Sequence, residues 1–177
     1  MSPGGHLVTA VVAAAATGAV TGSPVLAGGV AVGGFLIDVD HAVDYVLFER
    51  QRDLSPGAFL RYYMEGRVRR TVLLLHSYEV LALLAAVAWW LGSAALTGYL
   101  LGAVLHLALD IRFNGELTPR SIVAFYSLAY RLRHRFDARA LLGFESPRKL
   151  PAGFWATFFA ELRPAARPRL ESSPPPA

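Results

Sequence analysis

The chain of 177 residues has no cysteine, which excludes a disulfide framework, a thiolate-ligated metal site and a cysteine nucleophile. Charge is scarce as well. Asp, Glu, Lys and Arg make up 17% of the residues, against about 25% in an ordinary soluble domain. Lysine is nearly missing, so that 16 of the 17 basic residues are arginine. Hydrophobic residues take the space, at 54% of the chain with a mean hydropathy of +0.41. This balance argues against a cytosolic globular enzyme, a disordered protein and a nucleic-acid-binding domain. The length fits one domain better than two.

Long apolar runs point to a membrane. Leu7 to Ile37 contains no charged residue and is broken only at Thr21-Gly22-Ser23-Pro24, a strong turn signal. About 20 apolar residues cross a bilayer as a helix, so this run reads as a hairpin of two helices over 6–21 and 25–47. Its small residues, among them Gly28, Gly29, Gly33 and Gly34, suit close helix packing in lipid. Thr71 to Leu91 ends in Trp89 and Trp90, an interfacial aromatic pair, and Ser93 to Ile111 follows after a Gly-Ser break. The pattern predicts an all-α integral membrane bundle of about four transmembrane helices with cytoplasmic amphipathic helices. A signal peptide over residues 1–27 is the competing reading, but it lacks a positive n-region.

Arginine orients the bundle. The connections near 21–24 and 91–97 carry no charge, whereas 48–70 holds Arg50, Arg52, Arg61, Arg67, Arg69 and Arg70, and the chain beyond Ile111 is basic. The positive-inside rule then makes 48–70, 112–177 and both termini cytoplasmic, as in a bacterial inner (plasma) membrane. Residues 1–112 form the membrane domain and 113–163 the cytoplasmic amphipathic helices, with a disordered Pro-rich tail over 164–177. Ser55-Pro56 starts a short helix. Ile122, Phe125, Tyr126, Ala129, Leu132 and Phe136 recur at helical spacing among Arg131, Arg133, Arg135 and Arg139, as in a basic helix lying on an anionic membrane surface. Phe154, Trp155, Phe158, Phe159 and Leu162 make a second such face.

Ionisable groups inside membrane helices are expensive and by default mark function. His6 begins the first helix; Asp38, Asp40, His41 and Asp44 end the second; His76 falls about 8 Å into the third, counting from Thr71; His106 and Asp110 end the fourth. With alternating directions all of them reach the cytoplasmic side. His106 and Asp110 are i,i+4, while Asp38 and His41, like His76 and Glu79, are i,i+3, so each pair shares a helix face and Asp40 points elsewhere. Imidazole with carboxylate suits zinc or a similar divalent ion. Six candidate ligands, His6, Asp38, His41, His76, His106 and Asp110, exceed one tetrahedral site and fit one or two ions, with Asp38 or Asp110 able to bridge a pair. Asp40 remains open between ligand, support for a ligand and ion-pair partner, and Glu79 between general base, support and partner of His76. Capping or an arginine partner accounts for Asp44 as well as ligation does, and hydrogen bonding accounts for His134.

At these residues the chain resembles the YdjM-type membrane-bound metal-dependent hydrolases. Gly5-His6, Asp38-Val39-Asp40-His41, His76-Ser77 and His106 to Asp110 match that family's motifs in order. The chain departs from it at Thr71 and Val72, where members carry histidine and arginine, and at Ile37, where proline is common. The resemblance implies a divalent-metal hydrolase embedded in the membrane. The His-x-x-x-Asp spacing is also similar to a zinc-ligand pattern of phospholipase C, which points towards phosphoesters.

The expectation is therefore a metal-dependent hydrolase of an ester or phosphoester, a phospholipid or other lipid included, at the cytoplasmic membrane face. Glu79 or Asp40 would act as base, and Arg69, Arg70 or Arg112 would hold an anionic head group. Membrane lipids are the expected partners, and nucleic acid is not. The alternative is a non-catalytic scaffold or transport protein using the same cluster as a structural metal or ion site.

Overall fold

Serine followed by proline opens three helices. The serine hydroxyl accepts a first-turn backbone N–H, and proline at the next position lacks an N–H that would have had no helical partner. Ser2 caps α1 (Pro3–Thr21), Ser23 caps α2 (Pro24–Phe35) and Ser55 caps α4 (Pro56–Met64), each by accepting from the residue three further on. A 3-10 turn at Leu36–Asp38 joins α2 to α3 (Val39–Leu47). Then come α5 (Tyr78–Leu91) and α6 (Ala94–Asn114), followed by the short α7 (Ile122–Phe125), α8 (Leu128–Arg133), α9 (Ala138–Leu142) and α10 (Phe154–Phe158). The computed structural model describes residues 1–114, 121–142 and 148–160, among which all regular elements are helical. The expected Pro-rich tail lies outside the described residues.

Glycine determines how α2 meets α6. A methyl group added at Gly29 would stand 2.5 Å from the Ala95 carbonyl oxygen; at Gly33, Gly98 or Gly102 it would overlap the carbonyl oxygen of Tyr99, Leu26 or Val30. Such backbone contact suits helices surrounded by a medium as apolar as their own side chains. Gly34 faces the other way, where an added methyl would lie 2.9 Å from the Ala10 Cβ of α1. The outward faces are apolar too: Val8, Val11 and Val12 on α1, Val25 on α2, and Leu101 and Val104 on α6 are all exposed. Pro3–Thr21, Pro24–Leu47 and Ala94–Asn114 are each long and apolar enough to cross a membrane.

The fourth expected span is different. α5 starts at Tyr78 rather than Thr71. Its 14 residues cover about 21 Å, short of the roughly 30 Å of hydrocarbon. Residues 71–77 leave the helix because their backbone groups find partners elsewhere. Asp44 accepts from Val72 N (2.7 Å) and Leu73 N (3.1 Å), and Asp40 from Leu75 N (2.9 Å) and His76 N (3.3 Å). Leu73 takes a left-handed conformation (φ 46°), a strained choice for leucine that helps turn the chain. This corrects the expectation of His76 on a helix face shared with Glu79.

The basic stretch over 120–136 is likewise not one surface helix. It breaks at Tyr126-Ser127 because Ser121 caps α7 and Ser127 caps α8. Phe125 and Tyr126 join Ile37, Leu73, Leu81, Ala103, Leu107 and Leu141 in the core, and Arg131 is fully buried. α10 folds back against the start of the chain, and the ring of Phe159, just after it, occupies the space beside Gly4.

Candidate metal centre

Five segments deliver side chains to one place: α1 (His6), the 3-10 turn (Asp38), α3 (Asp40, His41), the irregular segment before α5 (His76) and α6 (His106, Asp110). The backbone approach of α2 and α6 sets the first constraint, because it puts the Gly34 carbonyl 3.0 Å from His106 Nδ1. A carbonyl only accepts, so Nδ1 carries the hydrogen and Nε2 is left with a lone pair. Asp40 does the same for His76, with Oδ1 3.0 Å from Nδ1. Histidines that bind metals are held by this kind of support on their second nitrogen.

The two Nε2 atoms face one another at 3.3 Å. Asp38 Oδ1 stands 3.3 Å from His76 Nε2 and 3.5 Å from His106 Nε2. Three donor atoms thus form a nearly equilateral triangle. Donors about 2.0–2.1 Å from one tetrahedral ion are separated by about 3.3–3.4 Å, so the triangle fits a single small divalent cation. Two Nε2 atoms opposed at this distance need a proton or a metal ion between them.

Two further triplets adjoin the triangle: His6 with His106 and Asp110, and Asp40 with His41 and His76. His6 Nε2 is 2.8 Å from Asp110 Oδ1, and its ring stacks on that of His106 with centroids 3.8 Å apart. His106 Nε2 lies 3.4 Å from Asp110 Oδ2, and His41 Nε2 lies 3.6 Å from Asp38 Oδ1. A buried His/Asp group of this kind could hold a metal ion. Burial alone would lower the His76 pKa; Asp40 and Asp38 overcome it and push the imidazole up to about 10, so the pocket favours positive charge.

Tyrosines frame the cluster. Tyr126 donates to Asp110 Oδ2 at 3.0 Å, and burial first, then the Asp110 charge, hold its phenol well above the ordinary range. Tyr63 donates to the His41 carbonyl at 2.7 Å, its ring edge-on to the imidazole. A half-open cavity of about 360 Å³ meets the cluster, with His6, Asp38, His41, His76 and Asp110 in its wall. The rest of its lining is mainly apolar, contributed by α4, α7, α9 and α10 together with Val68 and Leu73. Thr71 also lines it, 2% exposed, with an Oγ1 that has no hydrogen-bond partner.

The remaining expected site residues lie elsewhere or act differently. Asp40 is bound to His76 and two backbone N–H groups, which makes it a support rather than a free base. Glu79 caps α8, accepting from Ser127 Oγ, Leu128 N and Ala129 N, and does not line the cavity. Arg69 and Arg70 are exposed, their backbone N–H groups held by Glu49, and exposed Arg112 lies over the Phe113 ring. None of the three arginines faces the cavity. Asp44 holds the backbone at residues 72 and 73 and belongs to none of the metal-capable groups. His134 packs edge-on against Tyr130.

Arg131 is the main residue the sequence reading misplaced. It is 0% exposed and clamps the segment that carries His76. One terminal nitrogen donates to the His76 and Phe125 carbonyls (3.2 and 2.7 Å), the other to the Leu73 carbonyl and Ser77 Oγ (2.8 and 2.5 Å). Its neighbours Arg133 and Arg135 are exposed, so nothing in the alternating arginine pattern singled it out. No protein-family model, curated protein or solved structure matches the chain.

Proposed function

We propose that this chain is a membrane-embedded, metal-dependent hydrolase of an ester or phosphoester, a lipid ester included, with its site at the cytoplasmic face. The carrying observation is the triangle of His76 Nε2, His106 Nε2 and Asp38 Oδ1, with edges of 3.3, 3.3 and 3.5 Å, on the wall of an apolar cavity. Zinc suits this mixture of imidazole and carboxylate at tetrahedral spacing, and the adjoining His6, His106 and Asp110 triplet would take a second ion. When bound, such an ion polarises the scissile group and brings the pKa of water near 7. The chain's own part is to orient His76 through Asp40 and His106 through the Gly34 carbonyl, and to exclude bulk water with an apolar wall. The arginine-rich segment over 48–70 and the uncharged turns at 21–24 and 91–97 support a bacterial inner (plasma) membrane location with the N-terminus and the site on the inside.

Metal content of detergent-purified protein tests this reading. Native protein is expected to carry one or more equivalents of zinc or manganese, and His76→Ala and His106→Ala are expected to lose most of it. Loaded protein should release acid or alcohol from lipid-like esters. Native protein that stays metal-free after loading would sink the hydrolase and leave a buried polar network.

A further inference from the structure

The cavity also carries information about what enters it, and the following rests on the hydrolase reading only for the fate of the ligand. Asp38 and Asp110 are the charged side chains in the wall beside the histidines; no arginine or lysine of the described residues lines the cavity, and the one ammonium there, the Met1 N-terminus, is held by Asp110 Oδ1 at 3.4 Å and by Asn114 Oδ1. Arg131 is nearby but buried, with both terminal nitrogens committed to carbonyls and Ser77. Three carboxylates at the cluster, Asp38, Asp40 and Asp110, outweigh one divalent ion and nearly match two. A phosphate monoester, with close to two negative charges at neutral pH, would have to compete with Asp110 and Asn114 for the one ammonium at the wall. The neutral hydrogen-bonding group on offer is Thr71 Oγ1, buried and without a partner at the wall.

Volume sets the second limit. At roughly 30 Å³ per water-sized group, a cavity of about 360 Å³ holds on the order of a dozen methylene-sized groups. That suits one chain rather than two. Phe35, Phe125, Phe154 and Phe158 give this space an aromatic, uncharged surface.

We infer that the cavity binds a single-chain amphiphile with an uncharged polar end, its ester group set against the His/Asp cluster and hydrogen-bonded by Thr71. As a substrate this is a carboxylic ester: water oxygen bonds to the carbonyl carbon, the carbon–alkoxy oxygen bond breaks, and the alcohol leaves with a proton. The products are the alcohol, a carboxylate and one released proton.

The test places full-length protein in nanodiscs with an equimolar mixture of a monoacylglycerol, a lysophosphatidic acid of the same chain and a diacylglycerol. Bound lipid is read by native mass spectrometry. The monoacylglycerol adduct is expected to exceed each of the others about tenfold in native protein. It should fall to their level in Ile122→Phe/Leu142→Phe, which fills the cavity without touching the cluster, and metal content confirms that this variant is folded. A dominant lysophosphatidic acid or diacylglycerol adduct, or a filled variant that binds like native, overturns the inference. Fatty-acid release is then measured on zinc- or manganese-loaded protein. A retained monoacylglycerol adduct with no release overturns the hydrolase reading and leaves the binding site standing, whereas preferred cleavage of a phosphoester overturns the uncharged-ligand assignment alone.

Discussion

At the residue scale, His76 links protonation to metal binding. In the metal-free chain Asp40 and Asp38 raise its pKa against the effect of burial, up to about 10. A metal ion must displace that proton, so apparent affinity should rise with pH, about tenfold per unit between about 6.5 and 8.5 for one proton released per ion. Metal titrations at three pH values check the slope, and a flat profile would argue against His76 as a ligand. Asp40→Asn should flatten the slope and weaken binding by about 10- to 100-fold, the usual effect of removing a carboxylate that orients a ligating histidine. Arg131 is the other residue with a sharp expectation. Arg131→Met removes the guanidinium donor from the His76 and Phe125 carbonyls, whereas the Leu73 carbonyl keeps His76 N and Ser77 Oγ. At about 1–3 kcal/mol per unsatisfied buried group, stability in detergent should fall by at least about 2 kcal/mol. Arg131→Lys should recover only part of this, because an ammonium cannot reproduce the two-pronged geometry of a guanidinium. A thermal unfolding series of the three proteins measures both effects.

At the element scale, the α2–α6 contact and the His106 tautomer are one piece of structure. The glycines that bring the backbones together also bring the Gly34 carbonyl to His106 Nδ1. Gly33→Ala puts a methyl group into the Tyr99 carbonyl, so it should lower both unfolding temperature and metal content. Gly28→Ala is the matched control. Nothing lies within 4 Å of its added methyl group, and alanine gains up to about 1 kcal/mol of helix propensity. Equal behaviour of the two variants would mean that the helices do not pack through this face. Glycine-rich packing in α2 was legible in the sequence, whereas the register that pairs Gly29 and Gly33 with Gly98 and Gly102 was not, because helical periodicity names a face but not its partner. The same gap explains residues 71–77. Their apolar composition reads as helix, and only the arrival of Asp40, Asp44 and Arg131 from other elements gives their backbone groups better partners.

At the scale of the whole molecule, the cysteine-free chain allows single cysteines to report sidedness directly. Thr21→Cys and Leu91→Cys, at exposed helix ends, should react with an impermeant maleimide on intact cells. Arg52→Cys and Arg139→Cys should react only after permeabilisation. Labelling of Thr21→Cys and Arg52→Cys from the same side would mean that Pro24–Leu47 does not cross. Composition by itself determined that the molecule is helical, apolar on its outside and suited to a membrane, because a lipid-facing helix must satisfy its backbone internally and expose apolar side chains. The polar residues that interrupt the apolar runs likewise include the histidines and aspartates that the fold brings together. Tertiary structure alone decided their roles: Asp38 as a corner of the donor triangle, Asp40 as support, Glu79 as a cap, Arg131 as a buried clamp and the three candidate arginines outside the cavity. The physical reason is that a carboxylate or guanidinium acts through whatever donors and acceptors surround it, and those come from segments as far as 104 residues away, as for His6 and Asp110.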